Sequence, residues 1–152
     1  MEVVTKSDKE TRELGKRMAN QLNGGEVLAL VGELGSGKTT FVQGLAKGLG
    51  IKKRVISPTF IIMRRYDLGF KIYGSRIKSF YHADLYRLEK NIEHEIKNLG
   101  LTEIWEKREN IVAIEWAEKI REFLPKSTIW IKFEQFDENS RRIMLDKEST
   151  LV

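Results

Sequence analysis

Apolar residues recur along this chain at two spacings, one typical of helices and one typical of strands. Near the N-terminus, Leu14, Met18 and Leu22 lie four residues apart, which predicts the buried face of an amphipathic helix. Ser7 followed three residues later by Glu10 is the capping-box pattern, in which the two side chains accept hydrogen bonds from free N–H groups at a helix start. The first predicted element is therefore a helix that begins just after Ser7.

A continuous apolar run comes next, with glycines on both sides of it. Glu26–Val31 predicts a buried strand, and Thr39–Gly50 predicts a helix with one apolar side. Gly44 and Gly48 lie within that helix, and we expect them to allow close packing against the sheet. A strand, a short glycine-containing connection and a second helix are therefore predicted in this order.

Beyond residue 50 the pattern alternates between β-rich and helical segments. A β-rich run from Val55 toward Tyr66 and a returning strand at Ile77–Leu85 are expected to form an antiparallel hairpin. No repeat, linker or low-complexity tract interrupts the chain, which predicts one domain over residues 1–152. The further predicted elements are a helix at Leu88–Leu99, a short helix capped by Thr102, a strand at Asn110–Trp116, a short helix at Glu118–Phe123, and paired strands at Thr128–Phe136 and Arg141–Asp146.

The connection between the first predicted strand and the second helix is a complete phosphate-loop motif. Residues 32–39 read G-E-L-G-S-G-K-T, which matches G-x-x-x-x-G-K-[ST] in its strand–loop–helix context. Its glycines let backbone N–H groups surround phosphate oxygens, and the helix N-terminus adds a positive dipole end. Lys38 is expected to reach the β- and γ-phosphates and Thr39 to bind Mg²⁺. The alternative is a glycine-rich turn with an incidental lysine.

With this motif, the element pattern predicts an α/β fold of the P-loop NTPase-like type. We expect a mixed, mostly parallel central sheet flanked by helices, with antiparallel β-hairpin insertions. Such a site needs a second acidic residue at a strand end to hold Mg²⁺ or its water. Glu115 follows four apolar residues, and Asp84 ends the segment Ser79–Ala83, so both are candidates. The alternative for each is a carboxylate that only caps a strand.

Two further polar features fall close to these candidates. Ser57-Pro58-Thr59 follows the phosphate-loop helix, where a mobile segment can sense the γ-phosphate, although an ordinary Ser-Pro turn is equally compatible. His82 lies two residues before Asp84, so both side chains share one strand face. His82 can bridge to that carboxylate, position a phosphate or serve only structure, and the sequence offers no zinc-ligand spacing.

Composition restricts the class of protein and its partners. The chain has 152 residues, 41% hydrophobic and 32% charged, without an apolar run of membrane-spanning length, an apolar signal core or any cysteine. We therefore expect a soluble cytoplasmic protein without disulfides. The net charge of +5 includes the basic clusters Lys52-Lys53-Arg54, Arg64-Arg65 and Arg141-Arg142. These clusters either face nucleic-acid phosphates or form an ordinary solvated surface.

Four motifs together resemble a known family, TsaE (YjeE). They are the loop at residues 32–40, Ser57-Pro58-Thr59-Phe60, His82-Ala83-Asp84-Leu85-Tyr86-Arg87, and Glu115-Trp116, in that order and spacing, and Thr11-x-x-Leu14-Gly15 also fits. The resemblance covers nearly the whole chain. It implies a bacterial P-loop ATPase required for N6-threonylcarbamoyladenosine in tRNA. It also implies the partners TsaB and TsaD, with ATP hydrolysis resetting their complex between turnovers.

The resemblance also implies roles for individual residues. Lys38 would contact the β/γ-phosphates, Thr39 and Glu115 would hold Mg²⁺, and Asp84 would assist the metal or the attacking water. Trp116 and Tyr86 would shape the site or the partner face. The residues that it places at ATP and Mg²⁺ are Asp8, Thr11, Glu33, Leu34, Gly35, Ser36, Gly37, Lys38, Thr39, Thr40, Thr59, Asp84, Glu115, Trp116 and Arg142.

One stretch departs from the family pattern, and two other functions compete. Residues 66–79 are longer and more basic than expected, which leaves the shape and partner contacts of the hairpin undefined. A small-molecule or nucleotide kinase is the alternative, with Arg64, Arg65 and Arg87 as lid arginines. A nucleic-acid-binding module with a vestigial phosphate loop is the third interpretation. A GTPase is disfavoured because no Asn-Lys-x-Asp segment occurs.

Overall fold

Four parallel strands form the centre of the fold, and the two innermost are the most apolar segments of the chain. The computed structural model describes residues 1–58, 61–68 and 76–145. The described strands are β1 (Glu2–Thr5), β2 (Val27–Val31), β3 (Met63–Asp67), β4 (Ser79–Asp84), β5 (Asn110–Glu115), β6 (Ile129–Gln135) and β7 (Arg141–Leu145). They form one sheet in the order β1-β7-β6-β2-β5-β4-β3. Strands β4, β5, β2 and β6 pair in parallel, whereas β3, β7 and β1 pair antiparallel to their neighbours.

Helices cover both faces of this sheet. They are α1 (Asp8–Ala19), α2 (Lys38–Gly48), α3 (Ile92–Leu99), α4 (Leu101–Glu106) and a 3₁₀ segment at Ala117–Phe123. In β2, Leu28 and Leu30 face a core shared with α1 and α2, whereas Val27 and Ala29 face a second core shared with α3, α4 and the 3₁₀ segment. This two-sided burial explains why β2 is a continuous apolar run rather than an alternating one. The predicted fold class is therefore confirmed.

The predicted edges of the sheet are confirmed in part. Tyr66 pairs with Phe80 in the antiparallel β3–β4 hairpin, and β6 pairs with β7. Residues 69–75 of the unusual 66–79 stretch, Phe60 and the predicted strand end at Asp146 lie outside the described residues. The strand β1 was not predicted, because four residues carry little periodicity and its partner β7 lies near the other end of the sequence.

Three local predictions are wrong. Residues 55–58, at the start of the predicted β-rich run, are irregular, and the strand begins only at Met63. Gln43 anchors this segment by donating from Nε2 to the Val55 carbonyl at 3.1 Å. The third helix begins at Ile92 rather than at Leu88, which reaches the core from a turn. Thr102 lies inside α4 and does not cap it. Gly100, at φ 68°, both ends α3 and precedes α4.

Glycines set the close contact between α1 and α2. A Cβ built on Gly44 would lie 1.9 Å from the Arg12 carbonyl oxygen, and one on Gly15 would lie 2.3 Å from that of Phe41. A Cβ on Gly48 would meet Ala19 at 2.5 Å. The expected packing of Gly44 and Gly48 against the sheet is therefore corrected, because both glycines pack against α1. Within the described part of the chain, no helix has the length and apolarity needed to cross a membrane.

This helix contact generates a stability prediction. Gly44→Ala should lower the free energy of unfolding, because the added methyl group overpacks the backbone of α1, and a Cβ only 1.9 Å from a carbonyl oxygen should cost toward the upper end of about 1–3 kcal/mol. That loss should exceed the gain of about 1 kcal/mol that alanine brings to a helix interior. Urea denaturation measures the difference. Glu13→Ala, at an exposed position of α1, is the control and should change stability by less than about 0.5 kcal/mol. Equal stability of both variants would contradict the packing account.

Candidate functional site

The phosphate loop connects the carboxyl end of β2 to the first residue of α2. Gly35 and Gly37 have φ values of 76° and 103°, in the left-handed region that glycine adopts without strain. Ser36 is buried, and Leu34 at the loop tip is 64% exposed. Helix α2 begins at Lys38 without a side-chain cap, so its first N–H groups are directed at the loop. This geometry suits an anion bound at the helix N-terminus.

Lys38 lies within the loop and is almost completely buried. Its Nζ donates to the Gly32 carbonyl oxygen, to that of Glu33 at 2.9 Å and to Ser36 Oγ at 3.4 Å. Burial lowers the pKa of the Lys38 ammonium below its ordinary value, and nearby carboxylates, Glu115 first among them, act in the opposite direction. The Lys38 ammonium group is therefore poorly solvated, and a phosphate oxygen would be a favourable partner for its charge.

A chain of hydrogen bonds joins α2, β5 and β4 at one carboxylate. Thr39 Oγ1 donates to both oxygens of Glu115, at 3.0 and 3.1 Å. His82 Nε2 donates to Glu115 Oε2 at 2.6 Å, and the imidazole is fully buried. An ionised carboxylate only accepts hydrogen bonds, and His82 Nδ1 has no partner among the described residues. Toward an ionised Glu115, Nε2 of His82 is therefore the donor of this hydrogen bond.

Asp84 lies beside Glu115 because β4 and β5 are parallel and the two residues are in register. Asp84 Oδ2 accepts from Ser57 Oγ at 3.1 Å, and Oδ1 accepts from the Tyr86 N–H at 2.9 Å. Ser57 belongs to the segment that follows α2, so this bond joins that segment to the sheet. Thr59, which sequence analysis placed in the same segment, lies outside the described residues.

Trp116 borders Lys38 from the residue after Glu115. Lys38 Nζ lies 4.7 Å from the centre of the Trp116 ring, a distance typical of a cation–π contact. The Tyr86 ring lies 5.1 Å from that of Trp116. Trp116 has φ 60°, a conformation that is strained for a bulky residue. With this backbone conformation directly after β5, the Trp116 indole lies next to Lys38.

The oxygen atoms of this site match the preference of Mg²⁺. Thr39 Oγ1, the Glu115 carboxylate and the in-register Asp84 supply hard oxygen ligands, and Mg²⁺ usually combines one or two of these with water and phosphate oxygens. Over the described ranges, no cluster of three or more His, Cys, Asp or Glu side chains forms a metal cage. The residues fit a metal held jointly with a nucleotide.

The remaining predicted nucleotide contacts lie outside the hydrogen-bonded centre formed by Lys38, Thr39 and Glu115 and differ in burial. Thr11 is buried and shares a 2.7 Å hydrogen bond with Thr5, whereas Asp8 is exposed in the first turn of α1. Thr40 follows Thr39 in α2 and is half-buried. Arg142 contacts Glu2 at 2.9 Å and Glu134 at 3.6 Å.

Two residues near the loop were not selected from the sequence. Arg141 is buried, and a Cβ built on Gly37 would lie 3.5 Å from its Cγ and Nε. Strand alternation places Arg141 and Arg142 on opposite faces, and only the structure identifies which arginine meets the loop. Glu118 has a buried Oε1 without a hydrogen-bond partner among the described residues and lies near enough to Lys38 to influence its charge.

The buried His82–Glu115 contact generates a prediction on coupling. His82→Ala should lower the free energy of unfolding by about 1–3 kcal/mol more in the wild-type background than in the Glu115→Ala background. Only in the wild-type background does the substitution leave a buried carboxylate without one of its hydrogen-bond donors. Urea unfolding of the four proteins measures this difference. The control cycle pairs His82→Ala with Glu122→Ala, an exposed residue, and should be additive. Equal costs of His82→Ala in the wild-type and Glu115→Ala backgrounds would refute the coupling.

Comparison with known proteins gives one consistent result. A family model described as "Threonylcarbamoyl adenosine biosynthesis protein TsaE" matches residues 5–143. A relative from Nostoc sp. is 43% identical over 140 residues, which are 90% of this chain and 80% of that protein. A relative from Aquifex aeolicus is 36% identical over 146 residues, which are 95% of this chain and 94% of that protein. Both carry the name tRNA threonylcarbamoyladenosine biosynthesis protein TsaE.

A solved structure agrees with these relatives. The crystal structure of YdiB from Bacillus subtilis is similar to this fold with a TM-score of 0.75 and 30% sequence identity, and the match covers 95% of this chain and 83% of that one. The P-loop NTPase-like fold and the family thus agree across sequence and structure. The chain belongs to the TsaE family of threonylcarbamoyl adenosine biosynthesis proteins.

Proposed function

We propose that residues 1–152 act as a single Mg²⁺-dependent ATPase domain that serves the threonylcarbamoyladenosine modification of tRNA. The observation that carries this proposal is the Glu115 carboxylate, which accepts from both Thr39 and His82 beside the phosphate loop. A lysine, a hydroxyl and a carboxylate converge there as nucleotide hydrolysis requires. The names of the relatives support the tRNA pathway, and family resemblance supports TsaB and TsaD as partners.

Each side chain has a role in this proposal. Lys38 exchanges the carbonyl oxygens of Gly32 and Glu33 for the β/γ-phosphate oxygens of ATP, which compensates its poor solvation. Thr39 and Glu115 hold Mg²⁺, which neutralises charge on the phosphates when bound. Glu115 keeps its orientation through His82.

Asp84 is proposed to assist the metal or to orient the attacking water. Its Oδ2 accepts from Ser57, so movement of the segment after α2 alters the direction of the carboxylate. That contact supports a sensor function of the segment that includes Ser57 and Thr59. Hydrolysis is then proposed to reset the complex of TsaB and TsaD between turnovers rather than to form the modification itself.

The kinase alternative has less support. A kinase lid needs arginines that are available to close over phosphates. Arg65 donates from Nε to Asp67 at 2.8 Å and lies over the Tyr81 ring at 5.8 Å. Its side chain therefore packs along the β3–β4 hairpin.

Removal of either proposed catalytic group should abolish turnover. Lys38→Ala and Glu115→Ala should each lower the ATPase rate by at least about a hundredfold, because Lys38 would stabilise charge on the transferring phosphate and Glu115 would hold the Mg²⁺ that does the same. Phosphate release measures the rate, and far-ultraviolet circular dichroism verifies folding. Lys97→Ala and Glu122→Ala remove the same charges at exposed positions and should leave turnover unchanged. Normal hydrolysis by a folded Lys38→Ala or Glu115→Ala variant would overturn the site assignment.

The proposed pathway is tested by adding the partners. The wild-type chain, TsaB and TsaD from the same organism, ATP, Mg²⁺, unmodified tRNA and the activated threonylcarbamoyl donor should give sustained modification and stimulated ATPase. The Lys38→Ala variant should support neither. Modification that proceeds equally well without this chain would contradict the proposal.

A further inference from the structure

A groove beside α2 is lined by basic residues and by no acidic one. It has a volume of about 730 Å³ and is formed by α2, by the segment that follows it and by Arg12 of α1. None of the phosphate-loop residues lines it, so it is separate from the Lys38–Glu115 site. Its polar lining residues are Arg12, Gln43, Lys47, Lys52, Lys53 and Arg54.

The groove carries a charge equal to the whole net charge of the chain. Five of the 27 basic residues line it, and none of the 22 acidic residues does. Without these five, 22 basic residues remain, which equals the number of acidic ones. With five cations and no carboxylate among its lining residues, the groove has a strongly positive potential.

These five cations are available for an external anion. None of them forms an ion pair with a described residue, whereas Arg65, Lys78, Lys132 and Arg142 do. Lys52, Lys53 and Arg54 are exposed and consecutive. Like charges held this close repel one another, and a polyanion in the groove would relieve that repulsion.

We propose that this groove binds the phosphodiester backbone of RNA, an inference that rests on the proposed function in tRNA modification. Three of the five cations are lysines, a residue type depleted at protein–protein interfaces and suited to phosphate contacts. The lysine ammonium groups would act as point charges toward phosphate oxygens, which carry no sequence information. The contacts therefore position RNA rather than read its sequence.

The groove is joined to the candidate nucleotide site through one segment. Gln43 Nε2 holds the Val55 carbonyl directly after Arg54, and two residues further Ser57 donates to Asp84. RNA bound by Lys52, Lys53 and Arg54 would therefore contact the segment that reaches the proposed hydrolysis site. This places the groove where RNA and nucleotide can influence each other.

The test is binding of a fluorescein-labelled, unmodified tRNA transcript by fluorescence anisotropy at several KCl concentrations. The groove variant combines Lys52→Ala, Lys53→Ala and Arg54→Ala. It should bind RNA at least about tenfold more weakly than wild type, and the slope of log affinity against log salt should become shallower by about two to three. Binding of a fluorescent ADP analogue should be retained, which also verifies that the variant folds.

The matched control removes three exposed lysines elsewhere: Lys90→Ala, Lys97→Ala and Lys126→Ala. Its net charge equals that of the groove variant, and its RNA affinity should stay within about threefold of wild type. An equal loss in both variants would overturn the groove as a site, because overall charge would then explain binding. Polyglutamate is tested as a competitor that has negative charge but no phosphodiester backbone. If the chain bound polyglutamate as tightly as the transcript, RNA would be overturned as the partner in favour of an acidic protein.

The same samples separate this proposal from the proposed ATPase function. Wild-type chain that binds the ADP analogue but not the transcript would overturn the groove proposal and leave the nucleotide site standing. Wild-type chain that binds the transcript through the groove but no adenine nucleotide would overturn the ATPase proposal instead. Binding of both, with the groove variant impaired only toward RNA, supports both.

Discussion

The buried carboxylate of Glu115 is the point on which this structure depends. It ends the central strand β5, and only 3% of the residue is exposed. A carboxylate in such a position is costly unless it is paired or hydrogen-bonded. Thr39 supplies one donor from α2 and His82 supplies the other from β4. The same contacts therefore stabilise the carboxylate and fix the phosphate-loop helix to two adjacent strands.

The electrostatics of the site follow from that constraint. Burial lowers the pKa of Lys38, and the nearby Glu115 carboxylate acts in the opposite direction by favouring the charged ammonium. The lysine is satisfied by loop carbonyls, and the carboxylate by a hydroxyl and an imidazole. Mg²⁺ and phosphate offer each group a stronger partner of opposite charge. A nucleotide complex would therefore replace the bonds of Lys38 and Thr39 described above, while His82 would continue to orient Glu115.

Much of the fold and the centre of the site could be predicted from the sequence because they depend on local patterns. The phosphate loop, the apolar strand that ends in Glu115 and the strand that ends in Asp84 each appear within a few residues. The choice of Arg141 over Arg142 as neighbour of Gly37 depends on the register of β7, which no local pattern fixes. The strand β1 and the basic groove likewise depend on contacts between distant segments.

The dependence of ATP affinity on Mg²⁺ tests the central claim most directly. In isothermal titration calorimetry, wild-type chain should bind ATP at least about tenfold more tightly with Mg²⁺ than with EDTA, whereas Thr39→Val should bind it equally under both conditions. Thr39→Val retains the side-chain shape and removes the hydroxyl that meets Glu115. An equal gain from Mg²⁺ in both proteins would contradict the assignment of Thr39 and Glu115 to the metal.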